Sequence, residues 1–290
     1  MNQLSNWPAP AKLNLFLHIT SRRDDGYHNL QTVFQFLDFG DSLSFQLRSD
    51  DQLKLTPELP GVPNQQNLII RAAELLRQFT SCKLGADIQL EKRLPSGGGL
   101  GGGSSDAATT LLALNHLWQL NLSTDQLAAL GLTLGADVPV FVRMQAAWAE
   151  GVGEQLQPID LPEPWFIVLK PQVNISTADI FSDPKLVRNS PLITQQDFLN
   201  GAGHNDCQPV AEQRFPQVSE VIKWLAQFSS ESNQPRMTGT GSCVFMKCET
   251  EQQAQQIIDR SPFTGFIARG LNNSPLAVKV RTLLAGAQVL

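Results

Sequence analysis

Residues 94–108 read LPSGGGLGGGSSDAA and are the most informative segment of the chain. Between residues 97 and 103 only Leu100 is not glycine. Ordering such a run costs conformational entropy, so the folded protein needs a compensating interaction there. A polyphosphate would supply it, because a chain without Cβ atoms approaches an anion closely. The helix predicted to follow would also point free N–H groups at that anion.

Two simpler interpretations of the glycine run stay open. A flexible linker is one, although the run leads directly into an apolar helical pattern that ends at Trp118. A plain helix cap at Ser104 is the other, and it is compatible with phosphate binding. The chain has no G-x-x-x-x-G-K-[ST] motif, no acidic residue at a strand end about 20 positions after the glycines and no H-R-D or D-F-G triplet. Three common phosphate-binding classes are therefore excluded.

Periodicity along the rest of the chain predicts an α+β protein. Apolar residues alternate over residues 11–20, which predicts a strand, and a proline-bearing stretch at 154–164 separates two halves. We therefore expect an N-terminal domain over 1–155 and a C-terminal domain over 156–290. The other predicted strands are 32–39, 42–47, 87–90 and 165–169, a hairpin at 237–247 and two late strands. The predicted helices are 67–79, 104–118, one that begins at the capping box of Ser123 and Gln126, 218–228 and 250–259.

Composition excludes several functions. The net charge of −5 is unlike that of a nucleic-acid binder, and the scattered four cysteines and four histidines do not form a zinc pattern. No apolar run approaches the roughly 20 residues that span a bilayer, and the first ten residues lack the pattern of a signal peptide. We expect a cytoplasmic protein that acts on a small molecule, without nucleic acid or membrane, as a monomer or homodimer.

Three further features have both an ordinary and a functional interpretation. Lys12 lies in the first predicted strand, where a lone lysine usually reaches the surface or pairs with a carboxylate. Asp137 precedes Val-Pro, which is typical of a helix N-cap. Residues 237–245, MTGTGSCVF, are either a glycine-rich hairpin turn or a second group of backbone N–H donors for an anion.

Together these segments resemble the GHMP small-molecule kinases. Residues 10–15 (PAKLNL) are similar to the first motif of that family, residues 95–108 to its phosphate loop and residues 238–242 to its third motif. The resemblance covers nearly the whole chain. It implies an N-terminal ribosomal protein S5 domain 2-like fold, a C-terminal ferredoxin-like α/β sandwich, ATP as co-substrate, Mg²⁺ and an alcohol acceptor.

Details of the motifs narrow the resemblance. Two extra glycines in the loop, the segment GADVP at 135–139 and the segment DGYH at 25–28 look like the GHMP kinases whose acceptor is a cytidine diphosphate-linked sugar alcohol. Such an enzyme phosphorylates the 2-hydroxyl of that alcohol in the non-mevalonate route to isoprenoids. A GHMP kinase for another alcohol and a non-catalytic nucleotide-binding module remain the alternatives.

The same resemblance assigns roles to individual residues. It makes Asp137 the catalytic base and Lys12 its cationic partner, and it leaves the metal ligands unassigned. Asp106 is either a metal contact or a complement to the helix dipole. The implied ATP-binding residues are Asn67, Leu68, Lys92, Pro95, Gly97, Gly98, Gly99, Leu100, Gly101, Gly102, Gly103, Ser104 and Ser105. The implied acceptor-binding residues are Asn14, Tyr27, His28, Phe34, Thr177, Phe181, Gly239 and Thr240.

Overall fold

A computed structural model of the chain describes residues 3–287, without the side chains of residues 284–287. Within that range the backbone forms ten strands and ten α-helices. The strands are β1 (Gln3–Arg22), β2 (His28–Arg48), β3 (Leu53–Thr56), β4 (Gly85–Glu91), β5 (Ala147–Glu150), β6 (Gln155–Pro158), β7 (Trp165–Leu169), β8 (Arg236–Met237), β9 (Val244–Cys248) and β10 (Gly265–Leu271). The helices are α1 (Leu68–Thr80), α2 (Gly102–Leu117), α3 (Thr124–Leu132), α4 (Val138–Arg143), α5 (Thr177–Phe181), α6 (Gln195–Leu199), α7 (Cys207–Arg214), α8 (Pro216–Ala226), α9 (Glu251–Ile258) and α10 (Pro275–Ala287).

The long strand β2 organises the sheet. It pairs antiparallel with β1, β4, β5 and β10, and the main path through the sheet runs β3-β4-β2-β10-β7-β9-β8. Only β3 and β4 pair in parallel. The separate strands predicted at 32–39 and 42–47 form this single strand, whose register against β1 shifts at several bulges. Two residue pairs, Gly270 with Leu37 and Leu271 with Phe36, join β10 to β2 and connect the two halves of the chain.

Helices α1 to α4 cover the N-terminal strands with one apolar core. The side chain of Asn67 caps α1 by accepting a 2.9 Å hydrogen bond from the Ile69 amide. Ile69, Ala73 and Leu76 then recur at helical spacing and are buried. Helix α1 packs against α2, the helix that follows the glycine run, so the core fixes the position of that run.

A second core lies in the C-terminal half and a third joins the halves. Helices α7, α8 and α9 contribute to the second, with Val221 and Met246 among its buried members. The third contains Leu13, Phe166 and Leu100. Leu100 is the one apolar residue of the glycine run, and its side chain packs in this third core. It thereby anchors the run between the two halves.

The structure confirms the α+β class and corrects several element predictions. Residues 275–287 form α10 where a second late strand was predicted; Leu276, Val280 and Leu283 recur every three or four residues and pack on the first core. Helices α5, α6 and α7 were missed because they are short or weakly amphipathic. Among the described residues, no helix is long and apolar enough to cross a membrane.

Candidate active site

All predicted site residues except Ser105 line one cavity of about 870 Å³. Ser105 is buried, and its hydroxyl has no hydrogen-bond partner within the described part of the chain. Residues that were not predicted from the sequence also line the cavity, among them Thr32, Gly153 and Ile175. The structure thus brings together segments that are up to about 230 positions apart in the chain.

One end of the cavity, the glycine end, consists of residues 97–104 and residues 238–242. Backbone bonds join the two segments: the Ser242 amide donates to the Gly97 carbonyl at 3.2 Å and the Cys243 amide to the Gly98 carbonyl at 3.1 Å. The Thr238 hydroxyl donates to the carbonyl of Gly99 at 3.1 Å. A Cβ at Gly99 would lie 2.2 Å from the Thr238 carbonyl oxygen. Glycine is therefore required at 99 by protein packing as well as by any anion.

Helix α2 begins at the glycine end in the way that suits an anion site. Gly101, at φ +71°, is its N-cap in the left-handed region, and the Ser105 amide makes the bond to the Gly101 carbonyl at 2.8 Å. The amides of Gly102, Gly103 and Ser104 lie in the first turn of the helix, before the amide of Ser105. These three residues line the cavity. Free N–H groups and the positive end of the helix dipole therefore coincide there.

Lys12 and Asp137 meet at the cavity wall. Lys12 Nζ lies 3.1 Å from Asp137 Oδ2 and donates to Asn14 Oδ1 at 2.5 Å. The Lys12 side chain is almost fully buried, whereas that of Asp137 is about one-third exposed. The Lys12 amide also donates to the Leu100 carbonyl at 3.0 Å, which ties this strand to the glycine end.

The ordinary interpretation of Asp137 as a helix N-cap is confirmed for its position and wrong for its side chain. Asp137 does occupy the N-cap position of α4, but its side chain caps no amide of that helix. Its carboxylate instead pairs with Lys12, which does not reach the surface. The sequence could not show this pairing, because the two residues are 125 positions apart.

Asn14 connects this pair to the glycine end. Its backbone N–H donates to the Thr238 hydroxyl oxygen at 3.0 Å, and its side-chain Nδ2 donates to the Thr32 hydroxyl at 3.0 Å. Those two bonds fix the direction of Asn14 Oδ1, which accepts from Lys12. Asn14 thereby orients the ammonium group of Lys12 toward Asp137.

Lys92 lies under the glycine end between two buried carboxylates. Its Nζ is 2.6 Å from Asp41 Oδ2 and 2.8 Å from Asp106 Oδ2. Burial raises the pKa of Asp106 to about 7, a shift that Lys92 opposes and Asp41 reinforces. Burial opposes the charge on Lys92, but the two carboxylates outweigh it and raise the pKa of that ammonium group.

This cluster corrects the interpretation of Asp106 and adds a residue. Asp106 lies beyond the first turn of α2, so it is a partner of Lys92 rather than a complement to the helix dipole. Asp41 was missed; it also accepts from the amides of Arg93 and Leu94, at 2.6 and 2.7 Å. No signal in the sequence marked it, because Asp41 lay between the two strands predicted at 32–39 and 42–47.

The other end of the cavity, the aromatic end, consists of Tyr27, His28 and Phe181. The rings of His28 and Phe181 stack with centroids 5.1 Å apart and planes 26° apart. Tyr27 has 66% of its surface exposed. Nearby, the Thr177 and Thr240 hydroxyls lie 3.0 Å apart and join α5 to the second glycine segment. Arg188, which was not predicted from the sequence, donates a hydrogen bond from its Nε to Nε2 of His28.

Comparison with known proteins identifies the family to which this protein belongs. Residues 67–145 match the model of the GHMP kinases N terminal domain, and residues 187–263 match that of the GHMP kinases C terminal domain. The chain belongs to the GHMP kinase family, whose members use ATP as phosphate donor.

Individual relatives carry a more specific name. The chain is 57% identical over 279 residues to a Pseudomonas aeruginosa (strain LESB58) protein named 4-diphosphocytidyl-2-C-methyl-D-erythritol kinase, with 96% of this chain and 98% of that one covered. A Shewanella loihica protein of the same name is 52% identical over 282 residues, with 96% and 98% covered.

Solved structures agree with the sequence relatives. A crystal structure of 4-(cytidine 5'-diphospho)-2C-methyl-D-erythritol kinase superposes with a TM-score of 0.77 at 32% identity, covering 91% of this chain and 98% of that one. A homoserine kinase from Cytophaga hutchinsonii gives a TM-score of 0.62 at 14% identity, covering 94% and 96%, and shows a shared fold alone. The fold expected from the resemblance is thereby confirmed.

Proposed function

We propose that the protein transfers the γ-phosphoryl group of ATP to the 2-hydroxyl of 4-diphosphocytidyl-2-C-methyl-D-erythritol. The products are the 2-phosphate and ADP, and the reaction belongs to the non-mevalonate synthesis of isoprenoid precursors. The observation that carries the proposal is that one cavity holds a glycine end, the Lys12–Asp137 pair and an aromatic end. The names of the close relatives support the choice of acceptor.

Asp137 is the proposed general base. Lys12 holds its Oδ2 at 3.1 Å, and Asp137 lines the cavity, so the other carboxylate oxygen accepts the proton of the acceptor hydroxyl. Phosphoryl transfer depends mainly on positioning and on stabilising the charge of the transferring group. The buried ammonium of Lys12 stabilises that charge, and Asn14 keeps the ammonium in place.

The glycine end is the proposed site of the ATP phosphates. The first amides of α2 donate to phosphate oxygens, while Gly97 and Gly101 let the backbone approach them at positive φ. Asn67, Leu68 and Lys92 line the same part of the cavity and would contact the adenosine. Lys92 acts from its place between Asp41 and Asp106.

Magnesium fits the oxygens beneath this loop. Asp106 Oδ1 and the Ser105 hydroxyl are both buried and have no hydrogen-bond partner among residues 3–287. Oxygen ligands from one or two side chains, completed by phosphates and water, are what Mg²⁺ prefers in kinases. Ser105 and Asp106 would therefore hold the ion, which when bound would neutralise charge on the phosphates.

The aromatic end is the proposed site of the cytosine. The exposed ring of Tyr27 and the ring of Phe181 offer faces on which a base stacks. Between the two ends, Asn14, Phe34, Thr177, Gly239 and Thr240 line the space for the methylerythritol and diphosphate groups.

We also propose that the chain has two domains, 1–155 and 156–290, and that each end of the cavity takes residues from both. The family models match residues on either side of that division, although β6 spans the junction itself. Phe181, Thr177 and the second glycine segment then come from the C-terminal domain. The cavity would lie where the domains meet.

A coupled assay of ADP release with magnesium-ATP tests the proposed function. The acceptor is 4-diphosphocytidyl-2-C-methyl-D-erythritol, and galactose, homoserine and mevalonate are assayed in parallel. We expect ADP release with the cytidine compound alone. Release with another alcohol instead would keep the role of Asp137 and reject the cytosine site. ATP binding without release on any acceptor would reject the proposed activity.

A further inference from the structure

Arg188 is the polar residue behind the aromatic end. Its terminal nitrogens donate to three backbone carbonyls: those of Phe181 and Asp183 at 2.8 Å and that of Leu186 at 3.0 Å. These bonds leave its Nε–H, which donates to Nε2 of His28 at 3.1 Å. A guanidinium tied to the backbone at three points cannot turn away, so this fourth bond has a fixed direction.

The bond determines which ring nitrogen of His28 carries the proton. A guanidinium stays protonated and only donates, so Nε2 must be the acceptor. In a neutral imidazole the hydrogen then lies on Nδ1. Burial, together with the charges of Arg188 and Arg22, lowers the pKa of His28, which keeps the ring neutral at pH 7. Arg188 therefore makes Nδ1 a hydrogen-bond donor.

No group in the described part of the chain bonds that donor. His28 has 8% of its surface exposed and lines the cavity, and its Nδ1 is not among the fully enclosed unpaired atoms. The donor is thus within reach of a molecule that enters the aromatic end. Cytosine and uracil differ at N3, where cytosine has a lone pair and uracil has an N–H group.

We infer that Arg188 is a positioning residue for nucleobase selection: it holds His28 as a donor that pairs with N3 of cytosine and opposes the N3–H of uracil. The inference rests on the proposed function, since it assumes a pyrimidine in the aromatic end. Arg188 itself touches no reacting atom. Its effect on the acceptor passes through His28.

The first experiment measures base selection. The kcat/KM value is determined for the cytidine acceptor and for the matching uridine compound, in the wild type and in Arg188→Met. Losing one fixed donor is expected to reduce the preference for cytidine about 10-fold, while the KM for ATP changes less than about 2-fold. An unchanged preference in a folded Arg188→Met protein overturns the inference.

Two variants test the route of the effect. Arg22→Met removes the other charge that acts on the ring without removing its hydrogen bond, so the preference should stay at the wild-type value. In a His28→Ala background, Arg188→Met should lower the preference no further. A further loss there would mean that Arg188 acts on the ligand independently of His28, and the positioning role would be wrong.

The second experiment needs no variant of Arg188. Nitrogen-15 NMR of the histidine rings, assigned with His28→Gln, reports the tautomer in the wild-type protein. We expect the proton on Nδ1. A proton on Nε2 in an enzyme that does phosphorylate the cytidine compound overturns the inference alone. A wild type that phosphorylates neither nucleotide compound overturns the proposed function, and the base selection with it.

Discussion

The two ends of the cavity are built by different means. The glycine end consists of backbone: two short segments whose carbonyl and amide groups bond one another directly. The aromatic end consists of side chains: Tyr27 just before β2, His28 in β2 and Phe181 in α5, with Arg188 bonded to His28 behind them. A backbone site admits few substitutions, since a Cβ at Gly98, Gly99 or Gly101 would lie less than 3 Å from a neighbouring atom. A side-chain site changes with single residues, so acceptor choice can vary while nucleotide binding stays the same.

The largest expected effect comes from a change that affects neither end. Asp137→Asn keeps the shape of the side chain but removes the proposed proton acceptor, so kcat should fall about 10³-fold. The dissociation constants for ATP and for the acceptor should change little, as measured by calorimetry. Turnover near the wild-type rate would show that Asp137 is not the base.

A substitution at the glycine end should mainly affect the use of ATP. In Gly101→Ala the new Cβ would lie 2.8 Å from the Phe141 ring and 3.0 Å from Lys12 Cε, at a φ of +71°. Displacing the loop and the lysine together should lower kcat/KM for ATP about 100-fold. The matched control is Gly61→Ala, whose φ is +77° and whose Cβ would meet nothing within 4 Å.

That control separates backbone strain from contact. Gly61→Ala should cost about 1 kcal/mol of stability because of its left-handed backbone and leave kcat/KM unchanged. If Gly61→Ala lowered kcat/KM for ATP as much as Gly101→Ala does, the loss would come from reduced stability of the protein. The close approach of Phe141 and Lys12 to the loop would then not matter for binding.

A change at the aromatic end should affect only the acceptor. Phe181→Ala removes the ring that stacks on His28, and the acceptor KM should rise about 10-fold while the ATP KM stays constant. Phe79→Ala, an exposed phenylalanine of α1 outside the cavity, is the control. Equal increases in both KM values for Phe181→Ala would mean that the two ends are not independent.

The smallest expected effect is a pH dependence of stability at the glycine end. The pKa of Asp106 is about 7 in the folded protein and about 3.8 when unfolded, so between these values the folded state binds the extra proton. Its contribution to stability is complete below pH 3.8 and is lost as the pH rises through 7. Denaturant titrations from pH 5 to pH 8 should show this loss, and Asp106→Asn should reduce it. A loss of equal size in Asp106→Asn would assign it to other groups.

The same contrast explains what the sequence could predict. The glycine run is contiguous, and its composition is informative without a partner, so the loop and the start of α2 were predicted within two residues. Lys12 and Asp137 each look ordinary alone, and only the resemblance joined them. Arg188 carried no signal, because its role depends on bonds to Phe181 and His28 that only the folded chain creates.

Misassigned elements have a similar cause. Helix α10 begins at Pro275 after Ser274, whose hydroxyl accepts from the Leu276 amide at 3.2 Å, and that local signal was present in the sequence. Asp41 was different. Its role depends on the ion pair with Lys92, which comes from a neighbouring part of the sheet. Strand periodicity contains no information about such a partner.

The bonds between the two glycine segments also bear on how the protein is made. Residues 97–99 are synthesised well before residues 238–243, which supply the two amides and the one hydroxyl that donate to their carbonyls. Until residues 238–243 have been synthesised, these carbonyls lack the partners that fix the loop in the folded protein. The proposed ATP site is therefore complete only after synthesis has passed residue 243.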